Sequence, residues 1–321
     1  MTTSYPTVLF PRPPDGVTCF CSGASSPSDL RGLSRFLISA GVSLPELSAP
    51  VLEELLGLGH LPWSIFVDTG AFSEVEADET GRFAVVAPID ETAWHERLGV
   101  SLRIARAFGP KAYVVAPDRV GDQGETLARL CRHRAEVHAI RATGARVVVP
   151  LQRGALSTAA FELGAIDALG FSDFVRGIPG NKDAMPTAEL GRYLREARPR
   201  AVHLLGVGPR NPRLPALHAL CQRLVPGAAL SCDSNQLAAL VGCSNGKGGG
   251  PRPLTAAQAM FAADGSEQPR EDAVAWTLGV SAILWRFQRE LERVGLARRP
   301  PPAQVQLGLY DATDTRSEAT T

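Results

Sequence analysis

AYVVAPDRVGDQGETLARLCRHRAEVHAIRATGARVVVPLQ, residues 112–152, carries a complete strand–helix–strand unit. Ala112–Ala116 and Arg146–Pro150 are short β-branched runs, and residues 122–142 between them space their apolar side chains at helical intervals. Two apolar strands joined by a helix of this length read as a parallel pair with a helical crossover. Neither run alternates apolar with polar, which fits strands covered on both faces.

The same pattern extends both ways. Further strand candidates are Val17–Cys21, Ser64–Val67, Phe174–Gly177, Ala201–Leu205 and Ala229–Cys232. Helix candidates lie near 28–40, 50–57, 91–107, 157–168, 187–197, 212–224 and 234–241. Closely spaced units of this kind favour an α/β protein with a single (β/α)8 TIM-type barrel over an open doubly wound sheet. The eighth strand is the weak point, because Val305–Leu309 is either a closing strand or part of a loose tail. The chain divides into an N-terminal segment (1–16), a barrel domain with a C-terminal helix near 270–296 (17–296) and a partly disordered tail (297–321). Gly246-Lys247, in the Gly/Pro-rich stretch 242–253, lacks the spacing and the following Ser/Thr of a phosphate loop.

Composition bounds the class. The 321 residues are 45% hydrophobic and 21% charged, with 31 Gly and 25 Pro, which excludes collagenous and wholly disordered chains. No apolar run approaches the ~18 residues of a membrane span, and no signal peptide is visible, so a cytoplasmic protein is expected. Positive and negative side chains balance at 33 each, but the first hundred residues hold 13 acids against 5 Arg. The later part is therefore basic, either through an arginine-rich codon usage or as a phosphate-facing surface. Its basic stretches are 129–146, 192–200 and 286–299. The six cysteines follow no disulfide framework, and Cys19-x-Cys21 has no companion ligands nearby.

The chemistry-bearing residues sit where strands end. Asp68 follows in FVDTGAF (66–72), Asp118 and Asp122 in VVAPDRVGD (114–122), Gln152 in VVVPLQRG (147–154) and Asp233 in ALSCDSNQ (229–236). FVRGIPGNK (174–182) and HLLGVG (203–208) add glycine-rich turns. Taken singly, each acid has a local explanation as a turn residue or helix cap. Taken together, they form a constellation, because barrel strands deliver their C-terminal ends to one mouth. Acids beside an apolar core are costly unless hydrogen-bonded or used in chemistry, which favours a site.

The segments FVDTGAFSE, APDRVGD, VVPLQRG, GIPGNK, HLLGVG and SCDSN, between about residues 60 and 240, resemble the tRNA-guanine transglycosylase superfamily. The resemblance is strongest to its DNA-modifying branch, the DpdA-type deazaguanine transglycosylases. It implies a (β/α)8 barrel that exchanges guanine in nucleic acid for a 7-deazaguanine base, here 7-cyano-7-deazaguanine, without a cofactor. It further implies Asp233 as nucleophile and Asp68 as acid/base. Asp118 is implied as the base-edge reader, Gln152 and the backbone of Gly177 as polar contacts to the base, and Phe72 and Leu205 as apolar walls. The implied partners are nucleic acid (DNA before tRNA), the free deazaguanine base and accessory DNA-modification proteins. The tRNA-acting enzymes carry a Cys-x-Cys-x-x-Cys plus His zinc site after the nucleophile. Here only Cys243 follows Asp233, so that site is absent and no structural zinc is expected in the protein. An RNA-acting transglycosylase, a small-molecule barrel lyase or hydrolase using the same acids, and an inactive binding barrel are the competing readings.

Overall fold

The computed structural model describes residues 16–35, 39–77, 83–208 and 211–235. The strands are β1 (Val17–Ser22), β2 (Ala40–Ser43), β3 (Ile65–Asp68), β4 (Val75–Ala77), β5 (Phe83–Val85), β6 (Ala112–Val115), β7 (Arg146–Pro150), β8 (Val175–Pro179), β9 (Ala201–Leu205) and β10 (Ala229–Ser234). The helices are α1 (Pro27–Arg35), α2 (Ala49–Gly57), α3 (Glu91–Phe108), α4 (Gln123–Arg132), α5 (Arg134–Ala142), α6 (Thr158–Leu169), α7 (Thr187–Ala197) and α8 (Leu214–Leu224).

Eight parallel strands close into a barrel in the order β1-β2-β3-β6-β7-β8-β9-β10, with β10 pairing back onto β1. β4 and β5 form a separate antiparallel ribbon after β3. The expected barrel is thus present, and its missing strand is β2, not Val305–Leu309, which lies outside the described residues. Its first residue closes the helix candidate drawn to residue 40, and the other three belong to no candidate element. Ala40 instead registers with Cys21 on one side and Ile65 on the other. Gly41 makes that pairing possible, since a Cβ there would lie 2.1 Å from Ser22 Oγ. The candidate helix 122–142 is interrupted at His133, which ends α4 and begins α5. The candidate helix 234–241 begins too early, since Ser234 is the last residue of β10; its residues 236–241, the candidate at 270–296 and the segments 1–15 and 297–321 fall outside the described residues.

Alternation along the strands builds two cores. Phe20, Phe66, Tyr113, Val115, Val148 and Val175 point inward and pack together inside the barrel. Their neighbours Cys21, Ile65, Val67, Val114, Val147 and Val149 point outward against the helices. Both faces are largely buried, which is why most strand sequences show no polar alternation. Side-chain caps fix the starts of α3, α4 and α6: Asp90 accepts from Ala93 N at 2.8 Å, Asp122 from Glu125 N at 2.9 Å and Ser157 from Ala160 N at 3.2 Å. No helix among the described residues is long and apolar enough to cross a membrane.

Candidate active site

Asp68 is the last residue of β3. Its Oδ1 accepts from Gly70 N at 2.9 Å, so the local turn anticipated from Asp-Thr-Gly does form. Gly70 adopts φ +79°, and a Cβ there would lie 2.4 Å from Pro45 Cγ, so glycine is required twice over. Arg97 Nη1 braces the turn by donating to Thr69 O at 2.8 Å. Burial pushes the Asp68 carboxyl above the ordinary carboxylate range and the charge of Asp233 adds to this, against the lowering effect of the Gly70 bond. A carboxyl shifted this way is suited to delivering a proton.

Asp233 lies near the end of β10, in register with Phe20 of β1. Gly206 N donates to its Oδ1 at 2.8 Å, and His203 Nε2 lies 3.1 Å from the same oxygen. His203 is fully buried inside the barrel and stacks on Phe66, with ring centroids 4.4 Å apart and planes 9° apart. Its Nδ1 contacts Ser231 Oγ at 2.9 Å. A Ser231 hydroxyl donating to Nδ1 leaves Nε2–H to donate to Asp233. The imidazole therefore fixes the orientation of Asp233 from below. HLLGVG stands out in the sequence for its glycines, and Gly206 does reach the carboxylate, but so does its first residue, His203.

Asp118 follows β6 in the sequence and is buried. Its carboxyl is pushed up to about 8, first by burial and then by the charge of Asp68, with Arg129 opposing. Gln152, after β7, donates from Nε2 to Asp118 Oδ2 at 2.7 Å, and its Oε1 accepts from Gly121 N at 2.8 Å. These two bonds lock the amide orientation. The predicted base reader and its amide neighbour are thus one hydrogen-bonded pair beside Asp68.

Gly177 is in β8, and a Cβ there would come within 3.1 Å of Leu205 Cδ1 and of Pro150 Cα. Its carbonyl already accepts from Leu151 N at 2.8 Å. Leu205 ends β9 and packs on the cluster inside the barrel. Phe72 stands apart at the rim: it is 64% exposed and meets Phe83 edge-on at 5.8 Å. It flanks the mouth as an open aromatic surface and does not line an enclosed wall.

One supporting cluster escaped the sequence reading. Glu74, fully buried, receives Arg129 Nη1 at 2.6 Å, Arg129 Nη2 at 2.8 Å and Ile89 N at 2.7 Å. Arg119 Nη2 adds a contact at 3.3 Å, and Arg129 Nη1 also donates to Asp118 O at 2.6 Å. Burial would raise the Glu74 carboxyl, but these partners outweigh it and hold the group below its usual value. The cluster ties the segment after Asp68 to the backbone of Asp118. Glu74 and Arg129 are 55 positions apart, so no local pattern marks them as partners.

The described basic stretches are partly spent on ion pairs. In 129–146, Arg129 is spent on Glu74, Arg132 pairs with Glu91, Arg141 pairs with Asp173, and Arg146 lies over Tyr113 at the start of β7, away from the mouth. Residues 192–200 lead from α7 into the start of β9, at the far end of the barrel from the strand C-termini. Among the described residues, the cations on the segments following strand C-termini are Arg119, Arg153, Lys182 and Arg213, from four different loops. A cavity of about 190 Å³ also opens at the far end, among Thr18, Tyr113, Arg146 and Ser231, and it contains none of the three carboxylates.

Cys19 meets its register partner Cys232 with the sulfurs 3.0 Å apart, while Cys21 packs outward against the helix layer. Cys243 and the stretch 286–299 lie outside the described residues. The sequence after Asp233 does not supply the cysteine and histidine ligands of a transglycosylase zinc site, so no step is routed through such a metal.

No protein-family model matches this chain, and no curated protein matches it. Among solved structures, a xylose isomerase domain protein from Planctomyces limnophilus is 13% identical over 69% of this chain and 91% of its own, with a TM-score of 0.45. The 3-keto-D-glucoside 4-epimerase of E. coli is 13% identical over 68% and 91%, with a TM-score of 0.42. A D-psicose 3-epimerase is 10% identical over 68% and 85%, with a TM-score of 0.43. Likenesses this slight carry no functional argument, and the barrel rests on its own strand pairing.

Proposed function

We propose that this protein is a guanine transglycosylase that replaces guanine in DNA with 7-cyano-7-deazaguanine through a covalent aspartyl-glycosyl intermediate. The observation that carries the reading is the pairing of two differently prepared carboxylates at the barrel mouth: Asp233 is oriented by His203 and Gly206, and Asp68 has its proton affinity raised by burial and by Asp233. The Asp118–Gln152 pair stands beside them as a base reader.

Asp233 attacks the anomeric carbon of the target nucleoside as the bond to guanine breaks. Asp68 gives its proton to the departing base, so that guanine leaves neutral and the sugar stays esterified to Asp233. The incoming deazaguanine then loses a proton to Asp68 and displaces the Asp233 ester. Two displacements on one carbon retain the sugar configuration. Guanine presents N–H donors along its pairing edge, which an ionised Asp118 accepts. Binding therefore favours release of the proton that Asp118 holds in the free protein. A base within a duplex has to be flipped out to reach this mouth.

The test is incorporation of labelled guanine or 7-cyano-7-deazaguanine into DNA and, separately, into tRNA, with accessory proteins supplied. Asp233→Asn is expected to abolish exchange and the covalent adduct while leaving the fold intact. Asp68→Asn is expected to stop turnover with natural substrate. Wild-type exchange confined to tRNA would move the substrate to RNA, and near-normal exchange by Asp233→Asn would end the covalent mechanism.

A further inference from the structure

We propose a second, separate site: a divalent transition-metal site of the zinc type on the outer helix layer, formed by Glu91, His95 and His133 with Glu136 beside them. The ligating atoms of Glu91, His95 and His133 already lie within 4.8 Å of one another. Glu91 and His95 are four apart at the start of α3 and so share a face. His133 comes from the break between α4 and α5, and Glu136 from the first turn of α5. Its Oε1 lies 3.0 Å from His95 Nδ1. Nothing in the proposed exchange reaction uses these residues.

The second observation is the state of His133. It is fully buried, and neither ring nitrogen has a hydrogen-bond partner. Nε2 lies 3.4 Å from Glu91 Oε2, without hydrogen-bonding geometry, and the His95 ring stands edge-on at 5.5 Å. A buried imidazole with two unpaired nitrogens is costly. Coordination through one nitrogen removes much of that cost. The break at His133 contains neither proline nor glycine, and it is what turns this side chain toward α3.

Two imidazoles and one or two carboxylates suit zinc and its neighbours, and do not suit the all-oxygen preference of calcium or magnesium. Tetrahedral ligands at zinc stand about 3.3 Å apart, so the observed cluster needs up to about 1.5 Å of closure, within reach of exposed His95 and Glu91 rotamers. Arg132 Nη1 is the competing cation, 3.0 Å from Glu91 Oε1. It also lies 3.7 Å from Glu125, which can retain it when Glu91 turns to a metal. A bound ion ties α3 to the α4–α5 break, on the helices that also carry Arg97 and Arg129.

Metal-stripped full-length protein is titrated with Zn²⁺ by calorimetry, and with Co²⁺ to read its visible absorption. One equivalent of Zn²⁺ is expected to bind, with a melting-temperature rise of roughly 4 °C at a hundredfold excess over the dissociation constant. Exposed His95→Asn should leave the circular dichroism of the apoprotein unchanged, weaken Zn²⁺ binding at least tenfold and abolish the tetrahedral Co²⁺ spectrum. Binding that survives both His95→Asn and Glu91→Gln, or no stoichiometric binding by the wild type, overturns the proposal. Both outcomes are independent of base exchange.

Discussion

Asp118→Asn separates stability from recognition at this site. The folded carboxyl titrates at about 8 instead of its ordinary 3.8, because burial and the Asp68 charge penalise its ionised form. The folded state therefore holds the proton more tightly than the unfolded chain does. Stability is complete below the unfolded value and falls as pH rises toward the folded one, at about 1.4 kcal/mol per pH unit. By pH 7 the accumulated loss is at most about 4 kcal/mol. An asparagine has no charge to bury and can still accept from Gln152 Nε2 through its carbonyl, replacing the 2.7 Å bond. Its amide group then needs a partner, which costs roughly 1–3 kcal/mol if unmet. The ionisation penalty is the larger, so the variant is expected to be more stable near neutrality by about 1–3 kcal/mol. The advantage should vanish between about pH 4.5 and 6, where the ionisation penalty equals the amide cost, reverse below that range and grow steadily toward pH 8. Urea unfolding of both proteins across that range reads it directly. Base affinity should meanwhile drop, because an amide donor faces the donors of guanine. A stability difference that is flat with pH would refute a buried, proton-holding Asp118.

Three other outcomes follow from the same geometry. Glu74→Ala strands the buried Arg129 and should cost about 3–5 kcal/mol in urea unfolding, whereas an exposed pair such as Arg103–Glu53 should cost under about 1 kcal/mol when broken. The Glu74 carboxyl is held below its unfolded value, so its contribution is present above that value and disappears as pH falls through the folded one; acid unfolding of wild type should be steeper than that of Glu74→Ala. Lys182→Gln, at the exposed rim, should weaken DNA binding alike for all sequences and reduce the salt slope by about 1, read by fluorescence anisotropy at several salt concentrations; an unchanged slope places the phosphate path elsewhere.

Sequence by itself determined the barrel and the ends of its strands. A parallel strand buried on both faces has to be apolar throughout, and the barrel places its catalytic candidates directly after such runs, so Asp68, Asp118, Gln152 and Asp233 stood out in the linear text. β2 was not legible, because four residues with a glycine show no periodicity; only the fit of Gly41 against Ser22 between two neighbouring strands makes them a strand. Local spacing was equally silent on His203 under Asp233, on Glu74 against Arg129, and on the meeting of Glu91 and His95 with His133. Each of these contacts joins residues tens of positions apart, and each depends on which way a strand or helix turns its side chains. The tertiary structure alone decided which charges are spent on one another, which protons are held by burial, and which cations face the mouth, because those properties come from the surroundings that folding assembles.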